Sequence, residues 1–186
     1  SDSLARKSCQ TSLDSVLNIM VRLIAPILSF TAEELWQTHE SLKNQGDSVF
    51  LTAYMQETLD QSQTIGSDDW TRIFEIKDLV NQSIESLRNE NKLKGSLDAN
   101  VIISADEKDK IILDKLGDEL HFVFISSKAS VKPGKTLEIS IENIDDEKCT
   151  RCWHRDSSVG QSKSHPEICL RCEENIDSSG EVRYFV

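Results

Sequence analysis

The stretch KCTRCWHRDSSVGQSKSHPEICLRCE, residues 148–173, holds four of the chain's five cysteines as two Cys-x-x-Cys pairs, Cys149/Cys152 and Cys169/Cys172, with sixteen residues between them. Two thiolates separated by two residues can turn back onto one cation, and two such turns complete a tetrahedron with metal–sulfur bonds of about 2.3 Å. The count and spacing are those of a tetrathiolate zinc pattern. Three other fates for the thiols compete with it. Disulfides rarely persist in a reducing compartment. A thioredoxin-like redox pair needs one Cys-x-x-Cys beside a βαβ unit, not two flanking a polar loop. Chance burial of thiols fits poorly with such polar neighbours.

Zinc also answers a stability problem. The segment from Asp146 onward is short and polar, and pieces below about 40 residues usually need a staple. Four cysteines leave no open coordination position, so one structural ion per chain is expected, with no chemistry of its own. His154 and His165 are then surface residues or outer partners, and Cys9 serves as a small apolar residue on a helix.

The chain of 186 residues carries a net charge of −11, so diffuse attraction to a polyanion is not supplied by the whole molecule. The charge is uneven. Between Cys149 and Cys172 four cations (Arg151, Arg155, Lys163, Arg171) face two acids (Asp156, Glu167). Trp153 directly follows a ligand cysteine among Arg151, His154 and Arg155, as an aromatic plate for an unpaired base would be built; Arg171 adds a further cation. The competing role for Trp153 is packing over the metal site. Four thiolates and one Zn²⁺ sum to −2, which cancels the local positive charge, so contact must come from stacking and hydrogen bonds.

No apolar run is long enough to cross a bilayer, and SDSLARKSCQ lacks the apolar core of a signal peptide, so a cytoplasmic setting is expected. The chain opens on Ser1 and enters a helical pattern almost at once, as a piece of a longer protein would.

Leu13, Val16, Leu17, Met20, Val21 and Ile24 recur at helical spacing, and Pro26 ends or kinks that helix. Thr31 and Glu34 have the form of a capping box for a second helix carrying Leu35 and Trp36. Residues 43–69 read as a long connection. A third helix follows from Asp68, with Trp70, Ile73, Phe74, Val80, Ile84 and Leu87 in register and Gly95 placed to stop it. Arg88, Lys92 and Lys94 near its end are candidates for phosphate contact, or simply favourable charge at a helix C-terminus. Beyond Leu97, ANVIIS, HFVFIS and TLEISIENI read as strands, with a short helix in DEKDKIILDKLG between the first two.

No active centre is visible. No two of the seven glycines lie closer than 17 positions, which excludes a dinucleotide-binding turn or a Walker loop, and the four histidines form no cluster with a nucleophile.

Three stretches together resemble one known family. RLIAPILSFTAEELWQ resembles the signature helix turn of the anticodon-binding bundle in class I aminoacyl-tRNA synthetases of the isoleucine, valine, leucine and methionine group. NKLKGSLDANVII resembles the segment leaving that bundle in bacterial isoleucyl-tRNA synthetases, with Lys94 where a small or apolar residue is usual. CTRCWHRDSSVGQSKSHPEICLRC, followed by GEVRYFV, is similar to their C-terminal zinc finger. The family's catalytic signatures, H-I-G-H and K-M-S-K-S, occur nowhere in the chain.

The resemblance implies an α+β multidomain fragment: a helical anticodon-binding bundle over 1–97, a small α+β connector over 98–145 and a zinc knuckle over 146–186. It further implies a monomer without membrane contact, whose partners are tRNA(Ile) and the upstream catalytic and editing domains of the parent isoleucine–tRNA ligase. Zinc on Cys149, Cys152, Cys169 and Cys172, and ATP-dependent aminoacylation performed elsewhere in the parent, follow from the same likeness. A purely architectural zinc module and a free-standing zinc adaptor are the alternatives.

Overall fold

In the computed structural model the described residues are 4–54, 65–178 and 180–185. The chain divides into two compact units, Asp2–Asp60 and Gln61–Val186.

In the first unit, α1 (Leu4–Ile24) is stopped by Pro26 and followed by α2 (Ser29–Thr38), the single turn α3 (Glu40–Lys43) and a 3₁₀ turn at Val49–Leu51. Val21, Ala25, Ala32, Trp36, Leu42 and Val49 form its core, with Leu17 and Ile24 packed against it. The Trp36 indole N–H donates to Gly46 O at 2.7 Å, and the Arg22 guanidinium lies 4.8 Å from the centre of the Trp36 ring.

The expected first helix forms, and its apolar stripe is wider than the core it meets, since Leu13, Val16 and Met20 remain exposed. One expectation is corrected here: the capping box at Thr31 does not form, because α2 begins at Ser29, its N-cap Leu28 offers no side-chain acceptor, and Thr31 lies inside the first turn. Of the expected connection, residues 55–64 lie outside the described residues.

The second unit is built on α4 (Ser67–Asn89). Its buried face, Ile73, Ile76, Val80 and Ile84, follows the expected helical stripe. These residues share one core with Val101, Ile103, Leu113, Leu116, Leu120 and Phe124, so the third helix packs with the sheet that follows it. Its stop comes earlier than Gly95. Asn91 adopts φ 57°, its N–H donates to Arg88 O, and Lys92 N–H donates to Leu87 O at 2.9 Å, the double hydrogen bond of a Schellman ending.

The sheet has three strands: β1 (Ala99–Ala105), then, after α5 (Glu107–Asp114) and α6 (Leu120–Phe124), β2 (Lys128–Pro133) and β3 (Glu138–Asn143). The spatial order is β2-β1-β3, with β2 parallel and β3 antiparallel to β1. Ala99, Val101, Ile103 and Ala105 are buried beneath the helices. Lys128, Ser130, Glu138, Ser140 and Glu142 are exposed on the flanking strands. Gly134 passes so close over β1 that an added Cβ would lie 3.2 Å from Ser104 Cβ, which explains glycine there. The expected strand HFVFIS is instead α6, ended by Ile125 at φ 53°, and the second strand is KASVKP.

Arg72 on α4 is paired with Asp109 on α5. Arg72 Nε and Nη2 each donate to a different oxygen of Asp109 at 2.8 Å, and this pairing holds the Asp109 carboxyl below its usual value. A carboxyl depressed in the folded state adds stability above its unfolded pKa of about 3.9, and the gain disappears as pH falls through the folded value. Asp109→Asn should therefore lower the melting temperature at neutral pH, with the gap to the parent closing in acid below about pH 4. A gap that stays constant down the acid limb would remove the pair from the pH dependence.

Candidate metal centre and nucleic-acid interface

The finger starts as a tight hairpin. Lys148 bridges Arg155, Cys149 N–H donates to His154 O at 2.9 Å, and Trp153 N–H donates to Cys149 O at 2.9 Å. These bonds fold Cys149 and Cys152 over one point. The second pair is presented by α7 (Leu170–Asp177), with Cys169 as its N-cap and Cys172 on its buried side.

The four Sγ atoms lie within 4.8 Å of one another. Cys149 Sγ is 3.7 Å from Cys172 Sγ, and Cys152 Sγ is 3.8 Å from Cys169 Sγ. Bonds of about 2.3 Å to a tetrahedral zinc require sulfur separations of about 3.8 Å, so the donor set fits that ion. Cys149, Cys169 and Cys172 are buried, and Cys152 is half-buried.

Burial pushes all four thiols up, but at two of them hydrogen bonds prevail. Backbone N–H groups of Cys152, Cys169 and Arg151 bring Cys149 below the ordinary thiol value. His154 and Arg171 bring Cys152 down to about 5. Cys169 and Cys172 stay raised, by burial and then by the charged sulfurs beside them. A divalent cation at the centre would relieve that repulsion and complete the set of thiolates.

The cations of the sequence motif are placed unequally. Arg155 is committed to the sheet: its backbone N–H donates to Ser127 Oγ at 2.7 Å, its Nη1 to Asp146 O at 2.9 Å, and its Nε to Asp98. His154 directs Nδ1 at Cys152 O, 3.1 Å away, and its ring meets His121 and Phe122 edge-on. Arg151 reaches Cys172 Sγ, and Arg171 lies against Cys152 and 5.0 Å from the centre of the Phe122 ring.

Trp153 is different. It is 61% exposed, takes no part in the apolar cluster around the cysteines, and holds φ at 66°. The left-handed region costs an L-residue about 1–2 kcal/mol and is an outlier for a bulky one. Lys148 Nζ lies 5.5 Å from the centre of its ring. Lys148 was not among the expected contacts; the signal was its place before the first cysteine, which a knuckle hairpin sets opposite the residues after the second.

Arg88 and Lys92 pair with Glu85 and Glu90 on the exposed end of α4, while Lys94 is exposed without an ion pair among the described residues. His165 pairs with Asp177 at 3.3 Å, and Cys9 lies on α1 at an exposed position.

The segment after α7 closes over the finger's base. Tyr184 and Phe185 N–H groups donate to the two oxygens of the buried Glu119 carboxylate, and Arg183 stacks 3.8 Å from the centre of the Phe122 ring. Nothing in the sequence pattern pointed to this tie, because its partners lie 65 residues or more apart.

Residues 1–103 match the family model described as the anticodon-binding domain of tRNA ligase, and residues 146–175 match that of a zinc finger found in FPG and IleRS. Among curated proteins, the chain is 39% identical to an isoleucine–tRNA ligase of Histophilus somni, 38% to that of Haemophilus influenzae and 40% to that of Alkalilimnicola ehrlichii. In each case 99% of this chain is aligned, and it spans 21% of the relative's length.

Proposed function

The chain belongs to the family of tRNA-ligase anticodon-binding domains, and from that membership we propose that it is the tRNA-handling region of an isoleucine–tRNA ligase. It helps to hold the anticodon end of tRNA(Ile) while other parts of the ligase perform ATP-dependent aminoacylation in the cytoplasm. The zinc on Cys149, Cys152, Cys169 and Cys172 shapes the knuckle that presents Trp153 and Lys148, the ring to stack on an unpaired base and the ammonium to meet its phosphate. Lys94, free of ion pairs among the described residues, supplies a further phosphate contact.

The observation that carries this reading is Trp153 itself. A residue needed only for folding would sit in the core or give way to glycine at φ 66°, whereas this tryptophan accepts strain and remains in solvent.

The alternative, an architectural module, is favoured by one feature: Arg155 fixes the finger to Asp98 and Ser127. Replacing Trp153 separates the two. A stacked base contributes about 1–3 kcal/mol, so Trp153→Ala should weaken tRNA(Ile) binding roughly 5- to 150-fold with unchanged zinc content. Trp153→Gly should lose the same affinity while melting slightly higher, because backbone strain is relieved. Affinity that survives both substitutions, or a melting temperature that falls with them, would assign Trp153 to the scaffold. Binding should also weaken steeply with salt, and unrelated tRNAs should bind less well at moderate salt.

A further inference from the structure

The two halves of the finger share a finer pattern than Cys-x-x-Cys. Both read Cys-x-Arg-Cys, CTRC at 149–152 and CLRC at 169–172. The structure crosses them. Arg151, from within the first pair, directs Nη1 at Cys172 Sγ of the second pair, 3.6 Å away. Arg171, from within the second pair, lies beside Cys152 of the first, where its positive charge favours that thiolate. Each close sulfur pair, Cys149 with Cys172 and Cys152 with Cys169, thus receives one guanidinium.

We propose that Arg151 and Arg171 are the counter-charges of the metal site, positioning residues that hold the thiolate cluster together from outside. Four thiolates around a Zn²⁺ carry a net −2, and with three of the four sulfurs buried that charge cannot be left to solvent. Two guanidinium groups supply +2 at the sulfurs themselves. Arg171 is braced for the task, with Nη1 3.5 Å from Glu181 and its plane near Phe122. Arg151 is exposed, and its guanidinium is directed at Cys172 Sγ. The same placement takes both arginines out of long-range attraction to RNA and leaves Lys148 beside Trp153 as the cation of that face.

The inference rests on the zinc reading of the four cysteines, and its test uses the metal alone. Zinc affinity of the full 186-residue chain would be measured by competition with a chromogenic chelator for the parent, Arg151→Met, Arg171→Met, Arg151→Lys and Lys163→Met. Outer partners of a metal site typically change affinity 10- to 100-fold, and a loss of about that size is expected for both Met variants. Arg151→Lys, which keeps the charge, should recover part of it. Lys163→Met removes an exposed cation of the same finger and should change nothing.

Arg171→Met also forfeits contacts to Phe122 and Glu181, so Arg151→Met is the decisive variant. Retention of zinc by Arg151→Met within about threefold of the parent, against the 10- to 100-fold of outer partners, would overturn the proposal while leaving the zinc site intact. A parent chain that takes up no zinc would remove the metal reading and this inference together.

Discussion

Stripping zinc with a strong chelator should unfold the finger while the three-stranded sheet stays folded. Amide exchange would register this as lost protection over residues 148–178 with retained protection in β1 and α4. The asymmetry follows from what each part buries. The sheet unit has a core running from Ile65 to Phe124, independent of sulfur. The finger's apolar cluster, apart from its cysteines, consists of Ile168 and half-buried Val159. Those two side chains contribute at most about 2–3 kcal/mol each, whereas zinc binding in such peptides is worth about 10–16 kcal/mol.

The ties from Arg155 to Asp98 and from Glu119 to the terminal backbone do not replace the ion, because they fix where the finger sits and not how its hairpins close. Cys172→Ser should reproduce the chelated state, and Cys9→Ser, at an exposed position, should not. Binding of tRNA should fall further on chelation than with Trp153→Ala, since the platform disappears as well as its ring. Unaltered exchange across 148–178 in metal-free protein would show that the hairpins hold by other means.

The metal set was legible because chelation is a matter of spacing, and spacing survives in a bare sequence. What the neighbouring cations do was not. Arg151, Arg155 and Arg171 look alike as basic residues near a tryptophan, yet the fold sets Arg151 on a sulfur, Arg171 beside Cys152 and Glu181, and Arg155 on Asp98. Only the path of the chain decides that. Similarly, the stripe of α4 declared a helix by its period, but its end was misplaced because Asn91 adopts the left-handed conformation more often expected of a glycine. The strand KASVKP escaped notice for another reason. As an edge strand it buries only Ala129 and Val131 partway and exposes lysines, so its apolar alternation is faint.

HFVFIS shows the commonest ambiguity, since its four-residue apolar run, Phe122 to Ile125, fits a strand or a buried helical turn equally well. The two assignments differ in what they demand of Phe122 and Phe124. On a strand, residues two apart share a face and would be buried alike. On α6 they point apart. Leu120, Val123 and Phe124 face the sheet, with Phe124 fully buried, while Phe122 turns outward to His121, His154, Arg171 and Arg183.

Phe124→Ala should therefore cost about 3–5 kcal/mol, the range for removing a buried aromatic side chain, and lower the melting temperature of the sheet unit by roughly 10–20 °C. Phe122→Ala should leave that transition within a few degrees of the parent and instead raise amide exchange at residues 181–185, whose arginine has lost its ring. Equal losses from both substitutions would mean that the segment packs as a strand after all, and with it would go the seat on which the terminal residues and the finger rest.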